Sequence, residues 1–208
     1  HFCARSLLEA LNHHSCFTNT PCTCTSFHIN AFVCLNCGTI PSELGSCVNL
    51  TSYVVEQNDV RLTGTIPTEL GRLEQLTTLG LNNKALEGSI PIELFRLSRL
   101  ISLDLHRNNL NGTISNRIEN LTNLQYLDLQ HNKLSGEIPE SIGSCSELLR
   151  LNLSDNNFQG KIPSTLPSSL REVRVDRNNF SGSLPLNTMR NMVNLQEVHA
   201  DRNRLEGE

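Results

Sequence analysis

From Leu62 to Asn157 the chain repeats every twenty-four residues: LTGTIPTELGRLEQLTTLGLNNKA, LEGSIPIELFRLSRLISLDLHRNN, LNGTISNRIENLTNLQYLDLQHNK, LSGEIPESIGSCSELLRLNLSDNN. Such a period constrains the fold more than any other feature of the chain. No single line can bury its own leucines, so each line must stack on its neighbours and stability accumulates along one dimension. Leu103 and Leu105, and Leu127 and Leu129, alternate with polar residues, as in a short strand with one buried face. Stacking then sets one such strand per line side by side and parallel.

Asn108, Asn132 and Asn156 follow these strands at a fixed offset. Their side-chain amides offer two donors and an acceptor, suited to backbone groups left free where the chain turns off the strand. The LxGxIP that opens each line supplies a Gly for unusual backbone angles and a Pro that needs no amide partner. An irregular or 3₁₀ segment then closes the turn. The expected architecture is an α/β solenoid, a leucine-rich-repeat superhelix with one short parallel strand per line and a cysteine-rich N-terminal cap. The cap is expected over residues 1–34 and the solenoid over residues 35–208, in about seven repeats.

Not every line keeps the pattern. An irregular first repeat spans Leu35 to Arg61, with Tyr53 and Val55 inward, Asn58 in the Asn position and a bulge near Asp59 to Arg61. Lys84 stands where Asn is expected, and Ser115 where Pro is expected. The line FQGKIPSTLPSSLREVRVDRNN is two residues short and FSGSLPLNTMRNMVNLQEVHADRNR one long, changes expected on the convex side. Cys47 and Cys145 occupy a leucine position and read as buried free thiols.

The remaining cysteines (Cys3, Cys16, Cys22, Cys24, Cys34 and Cys37) crowd the start of the chain. That density reads as a disulfide-stapled cap in an oxidising compartment, with fifteen pairings open. Cys22 with Cys24, and Cys34 with Cys37, also fit zinc thiolates, but no metal or cofactor is expected beyond N-linked glycans. Ser6 to Asn12 predicts a short amphipathic helix with a Ser6–Glu9 capping box. Seventeen Lys and Arg against twenty-one Asp and Glu give a net charge of −4, too mild to single out nucleic acid or an anionic membrane. No apolar run approaches the roughly 18 residues of a membrane span.

The repeats LxGxIPxxLxxLxxLxxLxLxxN resemble the plant-specific class of extracellular leucine-rich-repeat proteins. That class includes receptor-like kinase and receptor-like protein ectodomains and polygalacturonase-inhibiting proteins. The resemblance covers about Leu35 to Glu208. It implies a right-handed twist, a secreted or cell-surface location, and recognition of a peptide, protein or glycan on the concave or lateral face.

Outward strand positions form columns on that face, strands lying about 4.8 Å apart. The early ones (Ser52, Val54, Thr78, Gly80, Asn82) are small and neutral. Asp104, His106 and Arg107 begin a charged zone, followed by Tyr126, Asp128 and His131, then Arg150 and Asp155. Glu172, Arg174, Asp176 and Arg177 continue it, and Glu197, His199, Asp201 and Arg202 end it. The zone reads as a ligand-binding patch or as a solvated face whose ions pair across strands. Asp104 with His106 and Asp201 with His199 offer carboxylate–imidazole pairs. A shallow sheet lacks the enclosure that nucleophile activation needs, so no catalysis is expected. Sequons at Asn49, Asn111, Asn120, Asn152 and Asn179 mark expected glycosylation sites. The alternative to a recognition module is a structural surface glycoprotein that self-associates end to end through its solenoid ends.

Overall fold

The computed structural model describes residues 26–28, 38–55 and 62–206. The helix expected over Ser6 to Asn12, the six cap cysteines, Asn58 and the bulge after it lie outside the described residues.

Eight short strands form one parallel sheet, one strand per line. They are Ser26–His28, Ser52–Val54, Thr78–Gly80, Ser102–Asp104, Tyr126–Asp128, Arg150–Asn152, Glu172–Arg174 and Glu197–His199. Thr78, Ser102, Tyr126 and Arg150 are register partners, so the pairing repeats with the sequence period. The first strand lies within the segment expected as the cap and pairs in parallel with Ser52–Val54. The solenoid sheet therefore reaches back into that segment.

The leucines face inward as the alternation requires. Leu79, Leu81, Leu103, Leu105, Leu127, Leu129, Leu151 and Leu153 are all buried, as are Tyr53 and Val55 in the irregular first repeat. They belong to one continuous core that runs the length of the stack. Each fully buried aliphatic side chain contributes about 1.5–3 kcal/mol of transfer free energy. Cys47 and Cys145 are buried in the same core, Cys145 as a free thiol.

A second row of strands, which periodicity did not reveal, forms where LxG turns the corner. Thr63–Thr65, Ala85–Ser89 and Asn109–Asn111 pair in one sheet. Ser135–Gly136, Asn157–Gly160, Asn179–Gly182 and Arg204–Leu205 pair in another. The glycine here is required by conformation and by space. Gly88 has φ +77°, and a Cβ on it would lie 2.9 Å from Thr65 Cγ2.

The convex side is built from five-residue 3₁₀ segments at Ser42–Ser46, Thr68–Arg72, Ile92–Arg96, Asn116–Asn120 and Glu140–Ser144. A proline precedes four of them, and Ser115 precedes the fifth, its hydroxyl accepting from the Arg117 backbone N–H at 3.2 Å. The serine thus replaces a stiff cap with a hydrogen-bonding one. The short line has no 3₁₀ segment at this place, and the long line has a single turn of α-helix at Leu186–Arg190. Both length changes fall on the convex side while the strands Glu172–Arg174 and Glu197–His199 keep their register. Phe158 and Phe180 take the leucine position at the two irregular lines and stack with ring centroids 6.1 Å apart.

The asparagines bind neighbouring lines together. Asn156 accepts from the Leu134 N–H at 3.0 Å and donates to the carbonyls of Leu129, Leu153 and Ser154 at 2.9–3.2 Å. Asn108 and Asn132 make the same set, and Asn178 and Asn203 continue it into the irregular lines. One side chain therefore satisfies polar groups of two successive turns. Lys84, in the Asn position, is also buried, and burial pushes its ammonium pKa down.

Candidate functional site

Two columns cross the concave sheet in register. One runs Ser52, Thr78, Ser102, Tyr126, Arg150, Glu172, Glu197, and the other Val54, Gly80, Asp104, Asp128, Asn152, Arg174, His199. Two residues beyond the second column lie His106, Gln130, Ser154, Asp176 and Asp201. The expected split holds: small neutral side chains at one end of the face, charged ones at the other.

Glu172 organises the charged end. Its side chain is only 12% exposed and takes Arg150 Nε on one oxygen at 2.6 Å and Arg174 Nε on the other. Arg174 also reaches Glu197 at 3.5 Å, and Glu197 reaches His199 at 3.3 Å. The Glu172 carboxylate holds the Arg174 guanidinium in its charged form, raising its pKa. Ion pairing accounts for part of the patch, yet both arginine side chains remain about half exposed, and Tyr126, the register partner of Arg150 on the adjacent strand, is an exposed ring.

A second cluster lies two strands back. His106 Nδ1 is 2.6 Å from Asp104 Oδ1, and Asp128 is the register partner of Asp104. Burial first, and then the neighbouring Asp104 carboxylate, push the Asp128 carboxyl up from the ordinary range. Gln130, Asn152, Ser154 and Asn83 complete this polar group, and charge patterning pointed to none of them, Asn152 standing out only as a sequon.

Three expectations need correction. His199 pairs with Glu197 rather than Asp201, whose nearest ionic partner is Arg202 at 3.9 Å. Arg107, His131, Asp155, Arg177 and Arg202 are not strand residues of the face. Each sits in the left-handed region at the turn after its strand, with φ between +53° and +56°. His131, Asp155 and Arg177 line a groove along that edge with Lys133, and Arg177 bonds Asp155 at 3.2 Å. The third correction concerns Asn152. Its side chain is buried, its Nδ2 donates to Asp128 and Gln130, and its Oδ1 accepts from Ser154. A glycan on Nδ2 would have to break that group, so the folded structure disfavours this sequon. Asn49, Asn111 and Asn120 are exposed and Asn179 half-buried.

A family model described as leucine rich repeat matches residues 74–134, and a second, of two-copy leucine rich repeats, matches residues 122–168. The plant peptide hormone receptor RGFR1, solved with RGF2, is 36% identical with TM-score 0.77 and covers 81% of this chain. The Arabidopsis receptor kinase HAESA, solved with the peptide hormone IDA and the co-receptor SERK1, is also 36% identical, with TM-score 0.77 over 81% of the chain. The repeats are leucine-rich repeats of the plant-type class. This chain spans 27% and 28% of those two receptor chains. A plant ice-binding protein with TM-score 0.60 covers 98% of this leucine-rich-repeat chain, and 86% of its own length is matched. At 22% identity it shows a shared fold and no more. Among curated proteins, no sequence matches the chain.

Proposed function

We propose that this leucine-rich-repeat chain is a non-catalytic recognition module that binds a peptide or an extended protein segment along its concave face. The observation that carries the reading is the Tyr126–Arg150–Glu172–Arg174 group. An exposed aromatic ring stands in register with a guanidinium fixed by a nearly buried carboxylate, and a second guanidinium is fixed by the same carboxylate. Aromatic and arginine side chains held in place before binding are what binding hot spots use, because little side-chain entropy remains to be lost. The two receptors above were solved with peptide hormones, which supports a peptide as the ligand class. No helix among the described residues is long and apolar enough to cross a membrane. An extracellular or cell-surface location follows from the same kinship, with glycans at Asn49, Asn111, Asn120 and Asn179.

Selection of a displayed random-peptide library on the intact chain tests this. Enriched peptides should bind in solution and lose at least about tenfold in affinity with Tyr126→Ala or Arg150→Ala, each a loss of about 1.4 kcal/mol or more. Peptides that bind both variants as well as the parent would place recognition elsewhere and sink the concave-face reading.

A further inference from the structure

At the charged end of the concave face the described acids other than Asp176 are paired with arginines. Among the described residues, arginines pair with Glu172, Glu197, Asp155 and Asp201, while no Lys or Arg forms an ion pair with Asp104 or Asp128. These two carboxylates are register partners on adjacent strands, and the basic group beside them is His106. One oxygen from each aspartate and one ring nitrogen of His106 all lie within 4.8 Å of one another, and all three residues are half-buried. The two carboxylates repel each other where water screens them incompletely.

We propose that Asp104, His106 and Asp128 form a binding site for one divalent transition-metal ion of the zinc class. The mixed donor set decides the class. An imidazole is a poor ligand for calcium or magnesium, which favour oxygen cages, and a good one for zinc alongside carboxylates. Zinc–ligand bonds of about 2.0–2.2 Å place ligand atoms roughly 3.4 Å apart, so donor atoms within 4.8 Å of one another need to close by no more than about 1.4 Å.

The carboxylates are already oriented from behind. The His106 backbone N–H donates to Asp104 Oδ1 at 3.1 Å, and the Gln130 backbone N–H to Asp128 Oδ1 at 3.0 Å. Asn152 Nδ2 donates to Asp128 Oδ2 at 3.1 Å. Outer partners of this kind hold ligands in place at protein metal sites. The concave face also carries a counterexample in His199, which has Glu197 beside it but, among the described residues, no third His, Cys, Asp or Glu converging on the pair. Three protein ligands leave at least one coordination position for water or for an oxygen of a bound partner.

Titration of zinc into the intact, chelator-stripped chain by calorimetry tests the site, and it needs no knowledge of the peptide ligand. The parent should bind one equivalent that Asp128→Asn and His106→Gln each weaken at least about tenfold. His199→Gln should leave that equivalent unchanged. Zinc held by the histidines and cysteines of residues 1–37 would persist in every variant and so be counted separately. Far-ultraviolet circular dichroism checks that each variant is folded, and Asp104→Asn serves in place of one that is not. A parent with no zinc equivalent sensitive to these substitutions, or an equivalent lost equally in His199→Gln, overturns the proposal.

Discussion

Single residues set the tolerance of this solenoid. Asn156 satisfies four backbone groups belonging to two successive turns. Asn156→Ala leaves them buried and unpaired, and should lower the unfolding free energy by about 3 kcal/mol in urea titrations. Cys145 gives a pH signature. Burial pushes its thiol from 9.0 to about 11 in the folded chain, where its Sγ donates to the Ile118 carbonyl. Between those two values the unfolded chain has released a proton that the folded chain retains, so stability falls as pH rises through that window and is level below it. The stability gap between the parent and Cys145→Ala should narrow from pH 9 upward, and native Cys145 should resist thiol reagents at pH 8 until the chain unfolds. Much of this was legible in the sequence, because the Asn position and the Leu-to-Cys exchange recur at fixed offsets. The turn residues were not. Arg107, His131 and Arg177 look like surface charges in a string of letters, and nothing in their chemistry announces a left-handed backbone. Their conformation is imposed by the strand before and the asparagine after.

Among the elements, the concave strands were readable and the second row of strands was not, for one physical reason. Each concave line buries two alternating leucines, such as Leu103 and Leu105, whereas Asn109–Asn111 buries only Leu110 and Ser135–Gly136 has no buried residue, so neither shows a period of its own. The charged columns were legible as composition but not as partnerships. Which oxygen meets which nitrogen depends on side-chain direction, and His199 meets Glu197, two residues before it, rather than Asp201, two residues after. The 3₁₀ segments offer a direct test of how caps contribute. Ser115 has φ −70° and ψ 145°, a conformation proline adopts without strain and close to that of Pro67 and Pro139. Ser115→Pro loses one exposed hydroxyl bond but restricts the unfolded chain, and should raise stability by about 0.5 kcal/mol. A loss beyond about 1 kcal/mol would show that the hydroxyl cap matters more than the backbone restriction.

Among the described residues the molecule is a stack in which the elements of each line meet those of its neighbours. Removing residues 110–133 should therefore leave a chain that still unfolds cooperatively, with the Ser102–Asp104 strand paired directly to Arg150–Asn152. That deletion takes Asp128 away, so the proposed zinc equivalent should be lost while the fold persists, and calorimetry on one sample reads both. The constant step from Thr78 to Ser102 to Tyr126 to Arg150 has a consequence for descent. Unequal recombination between lines within one gene adds or deletes a whole turn without breaking any register. A lineage carrying such a gene can therefore change the reach of its sheet in a single event, and bring side chains from distant lines into new adjacency, before any point mutation refines them.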